Sequence, residues 1–394
     1  MLPRVKINYL NGLIGAAPEN QDGLLLLVVV GATAVSTTFQ LGKAYRLVSS
    51  GSLAGLGVNA TNNARLHGLV SQFYAEAEEG TPLYVAGLSD ASMTAACTKA
   101  SGSLKGILEG LRGAVRGVIV ASAATEATAT VTEGLDPDVF TAIPKAQELA
   151  DHMADDLYAP VFFIIEGRAY AGTASLKDLS TLDCNRVGVF IGDTVTGSVN
   201  AAVGTLAGRI ASIPVQRNAG RVASGSLAPT AMYLGSALVD DAMDAVDTIY
   251  SKGYICPRIY TGLVGYYIVD DRLAVAATDD YAHLTARRTA DKAARIAYET
   301  LLQFLLDEIE VNNDGTMQAP VLKSWQAAVE GAVNDAMSAS GELSLVNGSG
   351  CKFFIDPSQN VLATSKVEGT LRVRPFGYAR DIVANIGFLT NNEN

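Results

Sequence analysis

Hydrophobic residues along this chain follow two rhythms. Five apolar runs, at 24–30, 83–88, 117–121, 161–165 and 187–191, are continuous rather than alternating, as expected of strands covered on both faces. The intervening segments 62–79, 92–112 and 138–158 have helical length, and Leu66, Leu69 and Phe73, then Leu149, Met153 and Leu157, recur at helical spacing. This alternation predicts an α/β fold, a mainly parallel sheet flanked by helices. Residues 197–211 predict a further helix, and 229–251 another that opens at Pro229 and closes before Gly253. From 254 to 277 the character changes to short β-rich pieces around Gly265 and the Asp270-Asp271 turn.

The last third is helical again. Ala293, Ile296, Ala297, Leu301, Phe304, Leu305 and Ile309 form one apolar stripe across 285–310, which the turn Asn312-Asn313-Asp314-Gly315 ends. A second helix opens at Pro320 and carries Leu322, Trp325, Val329, Val333 and Met337 on one face. Short strands at 352–355, 361–364 and 371–373 complete a smaller α+β C-terminal domain. Both ends of the chain then carry strand patterns with nothing to pair with. Val5, Ile7 and Tyr9 alternate with Arg4, Lys6 and Asn8, and Ile382, Ala384, Ile386 and Phe388 share one face near the other end. An isolated strand is not stable in water, so these terminal β-strand arms are expected to pair with other subunits. The resulting organisation is an arm and connector at 1–23, an α/β domain at 24–277, an α+β domain at 278–380 and a second arm at 381–394. Residues 121–132, low in complexity, fit either a loop or a strand of small residues.

Composition sharpens this picture. A length of 394 residues exceeds what one core usually organises. Charged residues make up 18% against 49% hydrophobic, below the roughly 25% charged of ordinary globular chains, which points to surface buried in an assembly. No apolar run approaches the roughly 20 residues of a membrane span, and the start MLPRVKINYLNGL lacks the apolar core of a signal peptide. A net charge of -11 argues against nucleic acid as a partner. Cys97, Cys184, Cys256 and Cys351 form no C-x-x-C pair and read as buried thiols in a reducing compartment.

Catalytic chemistry finds little support. The three histidines, His67, His152 and His283, accompany no G-x-S-x-G elbow. Gly192 and Asp193 follow a strand, where open α/β sheets bind ligands, and an α/β-fold enzyme or ligand-binding protein with a site there is the alternative reading. The glycines and lysine of a phosphate loop are absent from that stretch, and a capping role for Asp193 is the simpler expectation. Asp240, Asp241, Asp244 and Asp247 fall on one expected helix, either as a solvated face or as a contact with another subunit. Arg287, Arg288, Lys292 and Arg295 form a basic cluster that is either solvated or the partner of an acidic patch on a neighbour. No catalytic residue, cofactor or metal is expected.

The order of a long helix (RRTADKAARIAYETLLQFLLDEI), a short loop, a Trp-bearing helix (PVLKSWQAAVEGAVNDAM), short strands and GTLRVRPFGYARDIVANIGF resembles the C-terminal domain of contractile tail sheath proteins. Phe376-Gly377-Tyr378-Ala379-Arg380-Asp381 stands where many sheath proteins carry a Pro-Ala-Glu-like element, which marks a divergent branch. The resemblance implies a structural protein and no enzyme: a helical homopolymer whose terminal arms complete sheets in neighbours, and which contracts by subunit rearrangement. It implies as partners the chain itself, an inner tail-tube protein, and baseplate and tail-terminator proteins. The place it implies is the cytoplasm of the producing bacterium or a virion tail.

Overall fold

The structure, a computed structural model, describes residues 21–387. The N-terminal arm with Val5, Ile7 and Tyr9 lies outside them, as does Phe388. Contacts divide the chain into two compact units after Arg295.

In the N-terminal unit the chain runs β1 (Leu25–Val30), β2 (Ala44–Leu47), α1 (Ala64–Ala77), β3 (Leu83–Leu88), α2 (Met93–Cys97), α3 (Ser103–Gly110), β4 (Gly117–Ser122), α4 (Pro137–Asp151), β5 (Phe162–Glu166), β6 (Val187–Phe190), α5 (Val203–Ser212) and α6 (Met243–Ser251). Six strands form one sheet in the order β2-β3-β1-β4-β5-β6, parallel throughout except for the edge strand β2. β1 is central, with Leu25 opposite both Leu83 and Gly117, and every residue from Leu25 to Val30 is buried. Burial on both faces explains why these strands read as unbroken apolar runs.

Two of the helices pack on each other where small residues permit close approach. A Cβ on Gly204 would lie 2.3 Å from the Leu69 carbonyl oxygen, and one on Gly208 would lie 2.5 Å from that of Phe73. These glycines, one turn apart on α5, let its backbone rest directly on α1.

Several expected elements are re-cut, some by local chemistry and one by tertiary pairing. The single helix expected over 92–112 is two: Ser92 caps the start of α2 by accepting from the Ala95 amide at 3.1 Å, Thr98 ends it by turning extended at ψ 114, and Gly102, also extended, precedes α3. A side chain there would meet the Ala96 carbonyl at 2.2 Å. The helix expected over 229–251 exists only as α6. Its first half is a hairpin, Tyr233–Leu234 against Ala237–Leu238, followed by a 3-10 turn at Val239–Asp241. Gly235, at φ +64, makes the hairpin turn, and Tyr233 exchanges backbone hydrogen bonds with Asp193 at 3.0 and 2.8 Å. Tertiary pairing overrides local helical pattern here. Past Ser122, residues 123–132 form a loop rather than a strand.

α7 (Leu284–Leu301) begins in the N-terminal unit and the division falls within it. It is shorter than the expected 285–310: a 3-10 turn at Leu302–Phe304 ends it, and Leu305 and Leu306 are exposed. The C-terminal unit adds α8 (Ala319–Val333), with Pro320 in its first turn, and an antiparallel ribbon of β7 (Cys351–Ile355) and β8 (Gly369–Val373). Val361–Thr364 is a short helix capped by Asn360, not a strand. Ala297, Met317, Leu322, Val329, Phe353 and Ile355 form this unit's own core, and Trp325 stacks on Phe304 with ring centroids 4.7 Å apart.

Candidate assembly interface

The C-terminal ends of the parallel strands, where α/β enzymes bind ligands, are filled by the protein itself. Glu166, at the end of β5, is wholly buried and accepts from the Ser122 amide at 2.8 Å, the Ala201 amide at 2.9 Å and the Arg65 guanidinium. Arg168, also wholly buried, donates to Asp136 at 3.3 Å and to the carbonyls of Ala124 and Glu126 at 2.6 and 3.1 Å. Buried charges persist only when paired and hydrogen-bonded, and these are.

The strand end at Gly192 and Asp193 is closed as well. Gly192 sits at φ +123 with Pro257 against it, so that a Cβ would come within 2.7 Å of the ring. The Asp193 carboxylate accepts from the Thr194 amide at 2.8 Å, a local capping role. A cavity of about 270 Å³ nearby is lined by Gln72, Thr194, Thr205 and Pro229 with small neighbours, and holds no titratable group. Among the described residues no serine or cysteine side chain bonds to a histidine ring. His152 instead contacts Asp156 at 2.5 Å and Glu109 at 3.5 Å. The four cysteines are free and buried; burial, aided by the charge of Asp183, pushes the Cys184 thiol up to about 11.

Sequence patterning did not single out the cluster of Asp270, Asp271 and His283. Their ligand atoms lie within 4.8 Å of one another, making them the group that by residue type could hold a metal ion among the described residues. Their oxygens already have partners. Asn218 donates to Asp270 Oδ1 at 2.6 Å and Asp271 Oδ1 at 2.8 Å, Tyr250 reaches Asp270 at 3.3 Å, and Thr285 donates its amide to Asp271 at 2.9 Å. Asp271 thereby anchors the start of α7. Burial pushes its carboxyl up, and the charge of Asp270 adds to this. Burial alone would lower the His283 imidazole, but its contacts with Asp270 at 3.4 Å and Asp271 at 3.3 Å outweigh that and raise it.

The basic cluster on α7 is used within the chain rather than solvated. Arg287 lies 3.3 Å from Asp291 and stacks on Tyr281. Arg288, buried, donates to the carbonyls of Ile210 and Ile213 at 3.2 and 3.1 Å. Lys292 pairs with Asp22 at 2.6 Å, and Arg295 donates to the Pro160 carbonyl. The acidic set is not on one helix: Asp240 and Asp241 belong to the 3-10 turn, Asp244 and Asp247 to α6. All four are exposed, and Asp240 accepts from the Tyr266 hydroxyl at 2.6 Å.

In the C-terminal unit, Cys351, Phe353 and Ile355 of β7 are buried, whereas Lys352 and Phe354 are exposed. Register places Lys352 directly opposite Arg372 and Phe354 opposite Thr370. Beyond the ribbon, residues 381–387 join no strand, and Ile382 and Ile386 are 80% and 98% exposed. No helix among the described residues is long and apolar enough to cross a membrane.

This two-unit architecture is the fold of contractile sheath subunits. A PVC sheath complex of an extracellular contractile injection system, in the contracted state, matches with a TM-score of 0.61 at 14% identity, covering 98% of this chain and 97% of the other. The helical sheath of the anti-feeding prophage, also contracted, matches with a TM-score of 0.59 at 15% identity, with coverage of 98% and 99%. The Listeria innocua sheath tail protein gives 0.51 at 9% identity, with coverage of 84% and 88%. The chain belongs to the family DUF2586, whose N-terminal domain matches residues 2–272 and whose C-terminal domain matches 280–393. No curated protein sequence matches it.

Proposed function

We propose that this chain is a structural subunit that polymerises into the helical outer sheath of a contractile phage tail or phage-tail-like injection machine. The observation that carries the reading is the end-to-end likeness, about the full length of both chains, to sheath subunits in contracted assemblies. The closed strand ends around Glu166, Arg168 and Gly192 favour a structural over an enzymatic role.

The terminal strands are the links in this reading. Val5, Ile7 and Tyr9 at one end, and Ile382, Ala384, Ile386 and Phe388 at the other, would add to the two-stranded ribbon β7–β8 of neighbours. Each backbone hydrogen bond so formed contributes about 0.5–1.5 kcal/mol net, and a helical lattice repeats the gain in every subunit. Domains at 24–277 and 278–380 would then move against one another's neighbours during contraction while the arms at 1–23 and 381–394 keep subunits attached. Partners are further copies, an inner tail-tube protein, and baseplate and tail-terminator proteins. Its place is the cytoplasm of the producing bacterium or a virion tail.

Electron microscopy of the purified protein tests this. Tubes or rings are expected, and deletion of residues 1–11 or 381–394 should leave folded protein that no longer assembles. Normal assembly of both truncations would refute the strand links, and a full-length chain that never polymerises would refute the sheath role.

A further inference from the structure

We propose that the exposed face of the β7–β8 ribbon docks onto the acidic surface formed by Asp240, Asp241, Asp244 and Asp247 of a second copy. The inference rests on the sheath reading and assigns one of its contacts.

Side chains directly opposite in an antiparallel pair share a face, and like charges so placed repel. Lys352 and Arg372 stand in that relation. Arg374 follows two residues on, exposed like them, and the exposed Phe354 ring lies beside Lys352's position on the same face. None of the three cations has an ion pair among the described residues. The opposite face of β7 packs on the core of its own unit through Phe353 and Ile355. A chain of net charge -11 thus gathers three unpaired cations and an aromatic ring on one small open face.

The acidic surface is the complement. Its four carboxylates are exposed, and Asp241, Asp244 and Asp247 have no cationic partner among the described residues. The start of α6 offsets only part of their mutual repulsion through its dipole. The basic residues of α7 that would answer them are committed to Asp291, Asp22 and backbone carbonyls. Two different surfaces of one chain that fit each other make a head-to-tail contact, which repeats without closing and builds a helical polymer. Charge pairing at the rim of such a contact selects partner and register.

Charge reversal tests it in the full-length chain. Lys352→Glu with Arg372→Glu gives one variant, and Asp241→Lys with Asp247→Lys the other; all four positions are exposed, so both variants should still unfold cooperatively and close to the wild-type temperature. Each variant alone should raise the concentration needed for sedimentable polymer about tenfold or more at low salt, and high salt should shrink the difference. An equimolar mixture should assemble near the wild-type concentration, because alternating copies restore opposite charges at every contact. If wild type polymerises and the variants do so equally well, the contact is refuted and the sheath role stands. If the variants are impaired but the mixture is not rescued, the ribbon faces something other than a second copy and the proposal falls. If wild type forms no polymer, the sheath role falls and takes this contact with it.

Discussion

Arg186 places one guanidinium nitrogen 3.1 and 3.0 Å from the two carboxylate oxygens of Asp291, a residue 105 positions later. Both side chains are buried, and Arg287 shares the same carboxylate at 3.3 Å. The contact ties the entry to β6 to the middle of α7.

Removing one partner of a buried ion pair leaves the other charge uncompensated, at a cost of about 3–5 kcal/mol. Asp291→Ala takes the shared carboxylate from two arginines, leaving Arg186 only the half-exposed Asp151 at 3.5 Å, and should approach that loss. Arg186→Ala should cost less, about 1–3 kcal/mol, because Arg287 stays beside Asp291. Urea unfolding followed by circular dichroism measures both, and equal losses would refute the ordering.

Gly208 offers a packing test. An added methyl would lie 2.5 Å from the Phe73 carbonyl oxygen and 2.7 Å from Glu76 Cβ. Backbone cannot yield as a flexible side chain does, so Gly208→Ala should destabilise by about 1–3 kcal/mol despite alanine's better helix propensity. Gly106, with open space around its Cα, should be stabilised by the same change by about 0.5–1 kcal/mol. Thermal unfolding of the two variants should therefore shift in opposite directions.

The Asp270, Asp271 and His283 cluster sets a pH dependence. Asp271 and His283 are both raised, so the folded chain holds more protons here than the unfolded one. Stability from this source is complete below the unfolded values and is lost as pH rises through the folded ones. For His283 the loss begins near its ordinary value of about 6.5 and continues upward. Urea midpoints should fall as pH rises above about 6.5, and His283→Gln should flatten that slope. A midpoint that climbs over the same interval would contradict the assignment.

Trp325 is the single tryptophan of the chain, and it lies in the C-terminal unit, stacked on Phe304. Its fluorescence should report that unit's unfolding alone, while circular dichroism reports both. Phe304→Ala should shift the emission to the red and cost about 0.5–1.5 kcal/mol in the fluorescence transition, leaving the circular dichroism change of the N-terminal unit in place.

Much of the fold was legible in the residue pattern because burial writes itself there. The continuous apolar runs became β1, β3, β4, β5 and β6, since strands covered on both faces have no polar side to show. Helices carrying Leu66, Leu69 and Phe73, or Leu322, Val329 and Val333, announced themselves by one-sided stripes. The C-terminal order of helices and strands also carried the likeness to sheath proteins. Elements decided by a distant partner are not legible there: residues 229–251 carry the start and stop signals of a helix, Pro229 and Gly253, yet Tyr233 pairs with Asp193 and the first half becomes a hairpin.

Strand identity and helical stripes are local, so the sequence by itself determined them, together with the acidic balance and the absence of a phosphate loop near Gly192. Which charges meet is not local. Only the tertiary structure committed Arg288 to the Ile210 and Ile213 carbonyls and Arg186 to Asp291, and only strand register set Lys352 opposite Arg372. A cation's partner depends on which distant backbone folds beside it, and no spacing along the chain encodes that directly.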